Sequence, residues 1–150
     1  LDDLYPGWGG LAAGAQYVVS PGTSRAVIER CREHGIAVLP GAVTATEIQA
    51  ALELGLTTVK FFPAGTSGGA PAIAALSAPF GGVQFVPTGG VGPANLGDYL
   101  ALPSVVAVGG SWMVPAATVA AHEFATITDL TTTAVTLARS LRPAVDPASA

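Results

Sequence analysis

The one lysine of this chain lies inside an apolar run that has the composition of a buried strand. Lys60 is the only lysine among 150 residues, and it belongs to the segment 58–63 (TVKFFP). Burial removes water from an ammonium group, which favours the neutral amine and lowers its pKa. A neutral amine is a nucleophile for carbonyl carbon. The segment therefore predicts an imine-forming lysine, and the alternative is a strand lysine whose long stem extends its charge to water.

Two glycine pairs follow two consecutive apolar runs. Gly89 and Gly90 come after the fourth run, and Gly109 and Gly110, followed by Ser111, come after the fifth. Glycine lets a backbone approach a ligand closely and point successive N–H groups at an anion. A single glycine pair is more often a simple turn. Two pairs after neighbouring strands predict a phosphate-binding site, because the last two strand ends of βα barrels often hold phosphate.

Five short apolar runs recur along the chain, at intervals of about 20 to 26 residues. This interval fits a strand, a helix and two loops, and it predicts parallel strands with helical crossovers. The runs are continuous rather than alternating, which is typical of strands covered on both faces. The predicted strands are residues 16–20, 36–39, 58–62, 83–86 and 105–108. Pairing of the first four is expected to stop at the prolines that follow them, Pro21, Pro40, Pro63 and Pro87.

Helix signals occupy the segments between these runs. Thr44 and Glu47 have the spacing of a capping box, and Thr23 or Ser24 is placed to cap an earlier helix. Pro93 is predicted to be the first residue of a later helix. Near the end of the chain, apolar residues at helical spacing predict a last amphipathic helix: Leu130, Ala134, Leu137, Ala138 and Leu141.

Successive βα units form either an open doubly wound sheet or a (β/α)8 barrel. A complete barrel typically needs about 200 residues or more, so five units predict an open sheet or a barrel that lacks its first three units. Residues 1–150 are interpreted as a single α/β domain, and 143–150 as a disordered tail. Because Leu1 is preceded by no initiator methionine or signal segment, the beginning of the chain is interpreted as missing.

Composition excludes several classes of partner. The net charge is −4 with only six basic residues, so no basic stripe is present for nucleic acid. No apolar stretch approaches the roughly 18 residues of a membrane span, which predicts a soluble protein. Cys31 is the single cysteine and has no ligand set around it at zinc spacing. We interpret it as a buried helix residue in a reducing compartment, the cytoplasm, and expect no metal site.

Five motifs, in this order and spacing, resemble the 2-keto-3-deoxy-6-phosphogluconate (KDPG) aldolase and 4-hydroxy-2-oxoglutarate aldolase family from about residue 14 to 115. They are 19–22 (VSPG), 39–41 (LPG), 59–64 (VKFFPA), 86–90 (VPTGG) and 109–112 (GGSW). The resemblance implies the last five βα units of a (β/α)8 TIM barrel. It also implies a class I aldolase of the Entner-Doudoroff pathway, usually a homotrimer, that needs no metal or cofactor and acts on a small phosphorylated keto acid.

The resemblance also implies a role for each matching residue. Lys60 would form the Schiff base with the keto acid, whose C3–C4 bond then breaks to release pyruvate and glyceraldehyde 3-phosphate. The substrate-binding residues would be Phe62, Thr88 and Pro21. The phosphate-binding residues would be Gly89, Gly90, Gly110 and Ser111.

The sequence departs from the family in one respect. The general acid/base glutamate, a carboxylate-binding arginine and a substrate-binding threonine of the family come from the first three βα units, which this chain lacks. Six of its acidic residues fall within or at the ends of predicted helices, where solvent-exposed roles are expected: Glu29, Glu33, Glu47, Glu53, Asp98 and Glu123. Two alternatives therefore stay open: a barrel enzyme that moves protons without an imine, and a phosphometabolite-binding fragment without turnover. The gluconate or galactonate configuration of the substrate also stays open.

Overall fold

The computed structural model describes residues 14–142, in which four short strands alternate with helices. The strands are β1 (Tyr17–Val19), β2 (Ala37–Leu39), β3 (Thr58–Phe61) and β4 (Gln84–Pro87). The helices are α1 (Arg25–Glu33), α2 (Ala45–Glu53), α3 (Gly69–Ser77), α4 (Leu96–Leu100), α5 (Ala116–Ala120) and α6 (Phe124–Leu141). The fold is therefore α/β, as the recurring apolar runs predict.

The strands lie side by side in chain order and are parallel. β1 pairs with β2, with Val18 opposite Val38, and β3 pairs with β4, with Lys60 opposite Val86. The two pairs are joined through Lys60, whose N–H donates to the Pro40 carbonyl at 2.8 Å. The carboxyl ends of all four strands therefore meet at one edge, where ligands of α/β proteins bind.

The predicted fifth strand, 105–108, is not formed. Val105 bridges Phe85 and Gly109 bridges Thr88 as isolated pairs. Four residue steps separate Val105 from Gly109, but only three separate Phe85 from Thr88. The extra residue interrupts the ladder in the way a β-bulge does, so the segment follows β4 without becoming a continuous strand.

The expectation that proline ends the pairing is wrong at two positions. The Pro40 carbonyl accepts a hydrogen bond from Lys60, and Pro87 is opposite Phe61 inside β4. The Pro87 carbonyl also accepts from the Gly109 N–H at 3.0 Å. Proline lacks a donor but keeps its acceptor, so pairing continues on the side where only the carbonyl is needed.

The core lies on one face of the sheet. Val59, Phe61 and Phe85 are fully buried, and the two phenyl rings meet edge to face with centroids 6.3 Å apart. The same cluster includes a buried side chain from each of three helices: Ile48, Ile73 and Leu96.

The continuous apolar runs predict a sheet that is covered on both faces, but within residues 14–142 only one face is covered. Lys60 and Val86, which are paired, point to the opposite face and are only half-buried. Tyr17 on β1 is 67% exposed and Val19 is 45% exposed. The described helices cover one face only, and the other face is open.

Helix boundaries agree with the sequence signals at two helices and differ at a third. Ser24 is the N-cap of α1, without a side-chain cap, and Cys31 is buried on that helix, as predicted. Burial raises the pKa of the Cys31 thiol. α4 begins at Leu96 rather than Pro93, because the Asn95 side chain accepts from the Gly92 N–H at 2.8 Å and holds 92–95 in a turn.

The last helix keeps only part of its predicted apolar stripe. On α6 Ala134 is buried and Leu137 is half-buried, but Leu141 is 45% exposed. The predicted tail 143–150 lies outside the described residues. None of the helices in the described part of the chain is both long enough and apolar enough to cross a membrane.

The capping box of α2 predicts a measurable loss of stability in Thr44→Ala. The Thr44 hydroxyl accepts from the Glu47 N–H, and the Glu47 carboxylate accepts from the N–H groups of Val43 and Thr44. Removing an N-cap typically lowers the free energy of unfolding by about 1 kcal/mol, which urea denaturation measures. Thr46→Ala, an exposed change on the same helix, is the control and should cause no loss.

The same capping box makes stability depend on pH. Burial raises the pKa of Glu47, but the three hydrogen bonds from Val43 and Thr44 outweigh it, and the pKa is lowered from 4.5. A lowered pKa means that the unfolded chain binds the proton more tightly. The contribution of Glu47 is therefore present above pH 4.5 and is lost as the pH falls through the lowered value.

Candidate active site

Lys60 is held by backbone hydrogen bonds at the centre of the parallel array. Its N–H donates to Pro40, and its carbonyl accepts from the Ala42 N–H at 2.8 Å. On the other side its partner in β4 is Val86. Because its neighbours on β3, Val59 and Phe61, face the core, alternation along the strand places the Lys60 side chain on the open face. The α-carbon is thus fixed while the amine is accessible.

Two neighbouring influences act in opposite directions on the Lys60 amine. The Nζ atom lies 4.0 Å from the centroid of the Phe62 ring, a cation–π contact that favours the ammonium form. Partial burial removes water and favours the neutral amine. The net effect is that burial lowers the pKa of Lys60 below 10.5, the direction the sequence predicts.

The lowered pKa predicts how imine formation on Lys60 depends on pH. Only the neutral amine attacks a carbonyl, so the rate of trapping a small 2-oxo acid with borohydride should rise with pH and level off, with a midpoint below 10.5. Phe62→Leu removes the ring that stabilises the ammonium, and its midpoint should be lower still. A midpoint at the value of an ordinary lysine would contradict the prediction.

Thr88 follows β4 directly and lies beside the segment after β3. Its N–H donates to the Phe61 carbonyl at 3.0 Å, and its carbonyl accepts from the Ala64 N–H at 2.8 Å. The Thr88 hydroxyl oxygen is buried, and no group within residues 14–142 hydrogen-bonds to it. Buried hydroxyls rarely lack a partner, because losing water without replacement costs about 1 to 3 kcal/mol.

Gly89 and Gly90 have the left-handed backbone that glycine adopts without strain, with φ of 82° and 78°. A β-carbon at Gly89 would be 3.0 Å from two ring atoms of Phe62. The Gly89 carbonyl accepts from the Gly65 N–H at 2.9 Å, and a β-carbon at Gly90 would be 3.2 Å from the Gly65 α-carbon. The two loops after β3 and β4 are therefore packed backbone to backbone, with Phe62 between Gly89 and Lys60.

Gly110 and Ser111 lie on the loop after the bridged segment 105–109. The bridge between Gly109 and Thr88 places this loop next to the end of β4. Gly110 is half-buried and Ser111 is exposed, and the Ser111 carbonyl accepts from the Val114 N–H at 3.1 Å. The two glycine loops are thus neighbours, as expected for a shared anion site.

Pro21 is exposed on the loop after β1 and is connected to Lys60 through Gly41. The Pro21 carbonyl occupies the space that a β-carbon at Gly41 would need. The Thr23 hydroxyl donates to the Gly41 carbonyl at 2.9 Å, and Gly41 itself bridges Lys60. All eight predicted site residues therefore lie on loops or strands at one edge of the sheet.

Sequence reasoning did not assign a role to three residues that hold these loops. Gly41 accommodates the Pro21 carbonyl, and Gly65 packs against Gly89 and Gly90. The Asn95 side chain accepts from Gly92 and donates to the Gly90 carbonyl at 2.9 Å. Only Asn95 had a local signal, because asparagine three residues after a glycine is typical of a side-chain-supported turn.

Three acidic side chains of the described helices have other roles. Glu29 and Glu33 form exposed ion pairs on α1 with Arg25 and Arg30. Glu47 caps α2. Within the described residues, no group of three or more His, Cys, Asp or Glu side chains is arranged to hold a metal ion.

A separate cavity of about 750 Å³ lies between α3 and α4. Gly69, Asn95 and Tyr99 are among its lining residues, and Lys60 is not. The four predicted phosphate-binding residues are likewise not among the residues that line this cavity.

Comparison with known proteins shows which family this chain resembles. Residues 10–130 match the family model described as KDPG and KHG aldolase. A 2-dehydro-3-deoxy-phosphogluconate aldolase of Treponema pallidum is 52% identical over 79% of this chain and 57% of its own length. A KHG/KDPG aldolase of Escherichia coli K12 is 45% identical over 82% of this chain and 58% of its own length.

A solved structure agrees with the sequence matches. The KDPG aldolase of Legionella pneumophila, whose structure contains pyruvate captured at low pH as a covalent carbinolamine intermediate, has a TM-score of 0.76 and 40% identity. The match covers 80% of this chain and 58% of that protein. This chain thus spans somewhat more than half the length of the proteins it matches. The family match over most of the chain and these identities show that the chain belongs to the KDPG and KHG aldolase family.

Proposed function

We propose that the protein carrying this chain is a class I aldolase that cleaves 2-dehydro-3-deoxy-6-phosphogluconate to pyruvate and glyceraldehyde 3-phosphate, and that it also cleaves 4-hydroxy-2-oxoglutarate. The observation that carries the proposal is the position of Lys60, a single lysine with a lowered pKa at the sheet edge of an aldolase-family chain. This is the environment that a Schiff-base lysine needs.

The proposed reaction begins with attack of the neutral Lys60 amine on the C2 carbonyl. The first adduct is a carbinolamine, the species named for the Legionella structure. Loss of water gives an iminium. A base of the full-length protein takes the proton of the C4 hydroxyl, and the aldehyde leaves as the C3–C4 bond breaks. The electron pair of that bond forms the C2=C3 bond of an enamine, and the C=N pair moves to the nitrogen. Protonation of the resulting enamine and hydrolysis release pyruvate and restore the amine. The iminium accepts the electrons, so the reaction as proposed uses no metal or cofactor.

Phe62, Thr88 and Pro21 are proposed to surround the keto-acid half of the substrate. The Phe62 ring already lies over the Lys60 amine and would form the wall beside the imine. The Thr88 hydroxyl lacks a partner among the described residues, and a carboxylate or keto oxygen would supply one after a rotation of the side chain. Pro21 lines the same edge through its contact with Gly41.

The phosphate of the aldehyde half is proposed to bind Gly89, Gly90, Gly110 and Ser111. We expect inorganic phosphate to compete with substrate and Ser111→Ala to raise KM several-fold while kcat changes less, since a lost ground-state contact affects binding first. Ser24→Ala removes a hydroxyl at the start of α1 that makes no side-chain cap, and it is the control. An unchanged KM in Ser111→Ala would remove Ser111 from the site.

We further propose that residues 1–150 belong to one (β/α)8-barrel domain, of which they form the last five βα units. The open face that carries Lys60 and the exposed side chains of β1 support this placement. A homotrimer in the cytoplasm is proposed as the working form. Sedimentation of the full-length protein should give three times the monomer mass, and a monomer would contradict the trimer.

The test of the proposed reaction is direct. The full-length protein is incubated with the 6-phosphorylated gluconate and galactonate forms of the keto acid and with 4-hydroxy-2-oxoglutarate, and pyruvate release is followed with lactate dehydrogenase. Turnover that persists in EDTA is expected. Faster cleavage of the galactonate form would reassign the substrate. Binding without pyruvate release would favour the alternative of a phosphometabolite-binding protein.

A further inference from the structure

We infer that Trp112 is a positioning residue for the phosphate loop, and that its indole holds the backbone of Gly110 and Ser111 in the arrangement that binds a phosphoryl group. The inference rests on the proposed function, because it assigns a task within the site proposed there. It concerns a side chain for which the proposed reaction has no chemical role.

The main observation behind the inference is the contact between Trp112 and Gly110. The six-membered ring of the indole occupies the space in which a β-carbon on Gly110 would lie, with Cη2 3.0 Å from that position and Cε3 and Cζ3 closer still. Trp112 is half-buried and also packs against the main core cluster. The indole therefore connects the loop backbone to the rigid part of the fold.

The loop is held on its other side by β4. The Gly109 N–H donates to the Pro87 carbonyl at 3.0 Å, and a β-carbon at Gly109 would be 2.8 Å from Thr88 Cγ2. Between this strand contact and the indole, little freedom remains for the backbone of Gly110. The absence of a side chain at Gly110 is thus required by Trp112 as well as by the proposed ligand.

This arrangement matters because glycine-rich loops lose much conformational entropy when they become ordered. A phosphate bound through backbone N–H groups needs those groups to converge before it arrives. An indole that orders the loop in advance lowers the entropy lost on binding, and so raises affinity for ligands that carry the phosphoryl group. Affinity for ligands without phosphate should not depend on it.

The first experiment compares two substrates in Trp112→Leu and Trp112→Phe variants of the full-length protein. For the phosphorylated keto acid we expect KM to rise about five- to tenfold with kcat changed about twofold at most. For 4-hydroxy-2-oxoglutarate, which has no phosphate, both constants should stay near wild type. Phe80→Leu, which removes a partly buried aromatic ring packed on the same core, is the matched control. Equal rises in KM for both substrates would overturn the inference.

The second experiment tests the contact itself. Gly110→Ala alone should weaken binding of the phosphorylated substrate strongly, because its methyl group meets the indole. Combining it with Trp112→Leu makes room, so the double variant should bind no worse than Trp112→Leu alone. Additive losses would show that the indole does not lie on Gly110, and would overturn the inference.

A third measurement separates this inference from the proposed reaction. Calorimetric titration with inorganic phosphate needs no turnover, and Trp112→Leu should raise the Kd for phosphate by a similar factor. If the protein cleaves no keto acid but the variant still weakens phosphate binding, the proposed reaction fails and the inference stands. If phosphate binds wild type and variant equally, or neither, the inference fails whether or not cleavage occurs.

Discussion

Lys60→Met is expected to abolish the borohydride-trapped pyruvate adduct completely and to lower kcat by roughly 10³-fold or more, since losing a covalent nucleophile costs up to about 10⁶-fold in other enzymes. Methionine is unbranched and of similar length, so it should fill the same space beside Phe62 without an amine. Mass spectrometry of the reduced protein measures the adduct, and peptide mapping locates it.

The control for this change is Arg30→Met, which removes an exposed cation in the last turn of α1, where it pairs with Glu33. That variant should keep the adduct and the rate. Persistence of a stoichiometric adduct in Lys60→Met would show that another amine reacts, and the assignment of Lys60 as the nucleophile would be wrong.

Stability should show that Lys60→Met acts through chemistry and not through unfolding. Because burial lowers the pKa of Lys60 in the folded state, the unfolded chain binds this proton more tightly. The charged lysine therefore lowers stability at neutral pH, and this cost decreases as the pH rises toward 10.5. Lys60→Met is expected to have an unchanged or slightly higher Tm, measured by calorimetry on the full-length protein.

Gly89→Ala is expected to have the second largest effect, on both stability and adduct formation. The residue has φ of 82°, a conformation that costs an L-residue about 1 to 2 kcal/mol. The new methyl group would also lie 3.0 Å from the Phe62 ring and 3.3 Å from the Pro63 α-carbon. Overpacking of this kind adds about 1 to 3 kcal/mol. Displacement of Phe62 would remove the proposed wall beside the imine, and should then lower the maximum rate of pyruvate trapping on Lys60 that is reached at high pH.

Gly92→Ala is the matched control for Gly89→Ala. It lies three residues away, and among residues 14–142 no atom outside its own chain neighbours lies within 4 Å of its added β-carbon. Its N–H bond to Asn95 is kept. Urea denaturation should show a lower midpoint for Gly89→Ala and almost no change for Gly92→Ala. Equal midpoints for the two variants would contradict the strained packing of Gly89 against Phe62.

Local sequence signals predicted much of the framework. The spacing of Thr44 and Glu47 predicted the capping box of α2, which is confirmed, because its hydrogen bonds join residues three positions apart. The apolar segment around Lys60 predicted a strand and a lowered lysine pKa, and both are found. The assignments of Lys60 and the glycine loops to catalysis and phosphate binding stay predictions for the experiments above.

Predictions that depended on the neighbouring strand were less successful. Residues 105–108 have strand composition, yet one extra residue relative to β4 leaves only isolated bridges at Val105 and Gly109. Pro40 and Pro87 were expected to end pairing, but their carbonyls face a donor on the next segment. Neither outcome can be predicted from the composition of a single run, because register is a property of two segments.

The amino-acid sequence by itself determined the order of elements, the one amine available for imine chemistry and the glycines after two strand ends. Only the tertiary structure decided which atoms meet there. Phe62 lies between Lys60 and Gly89, and the Trp112 indole lies on Gly110. Local patterns reflect backbone propensity and burial over a few residues, whereas these contacts arise from the packing of loops that follow different strands. That packing depends on the register of the sheet and on the volume of each side chain.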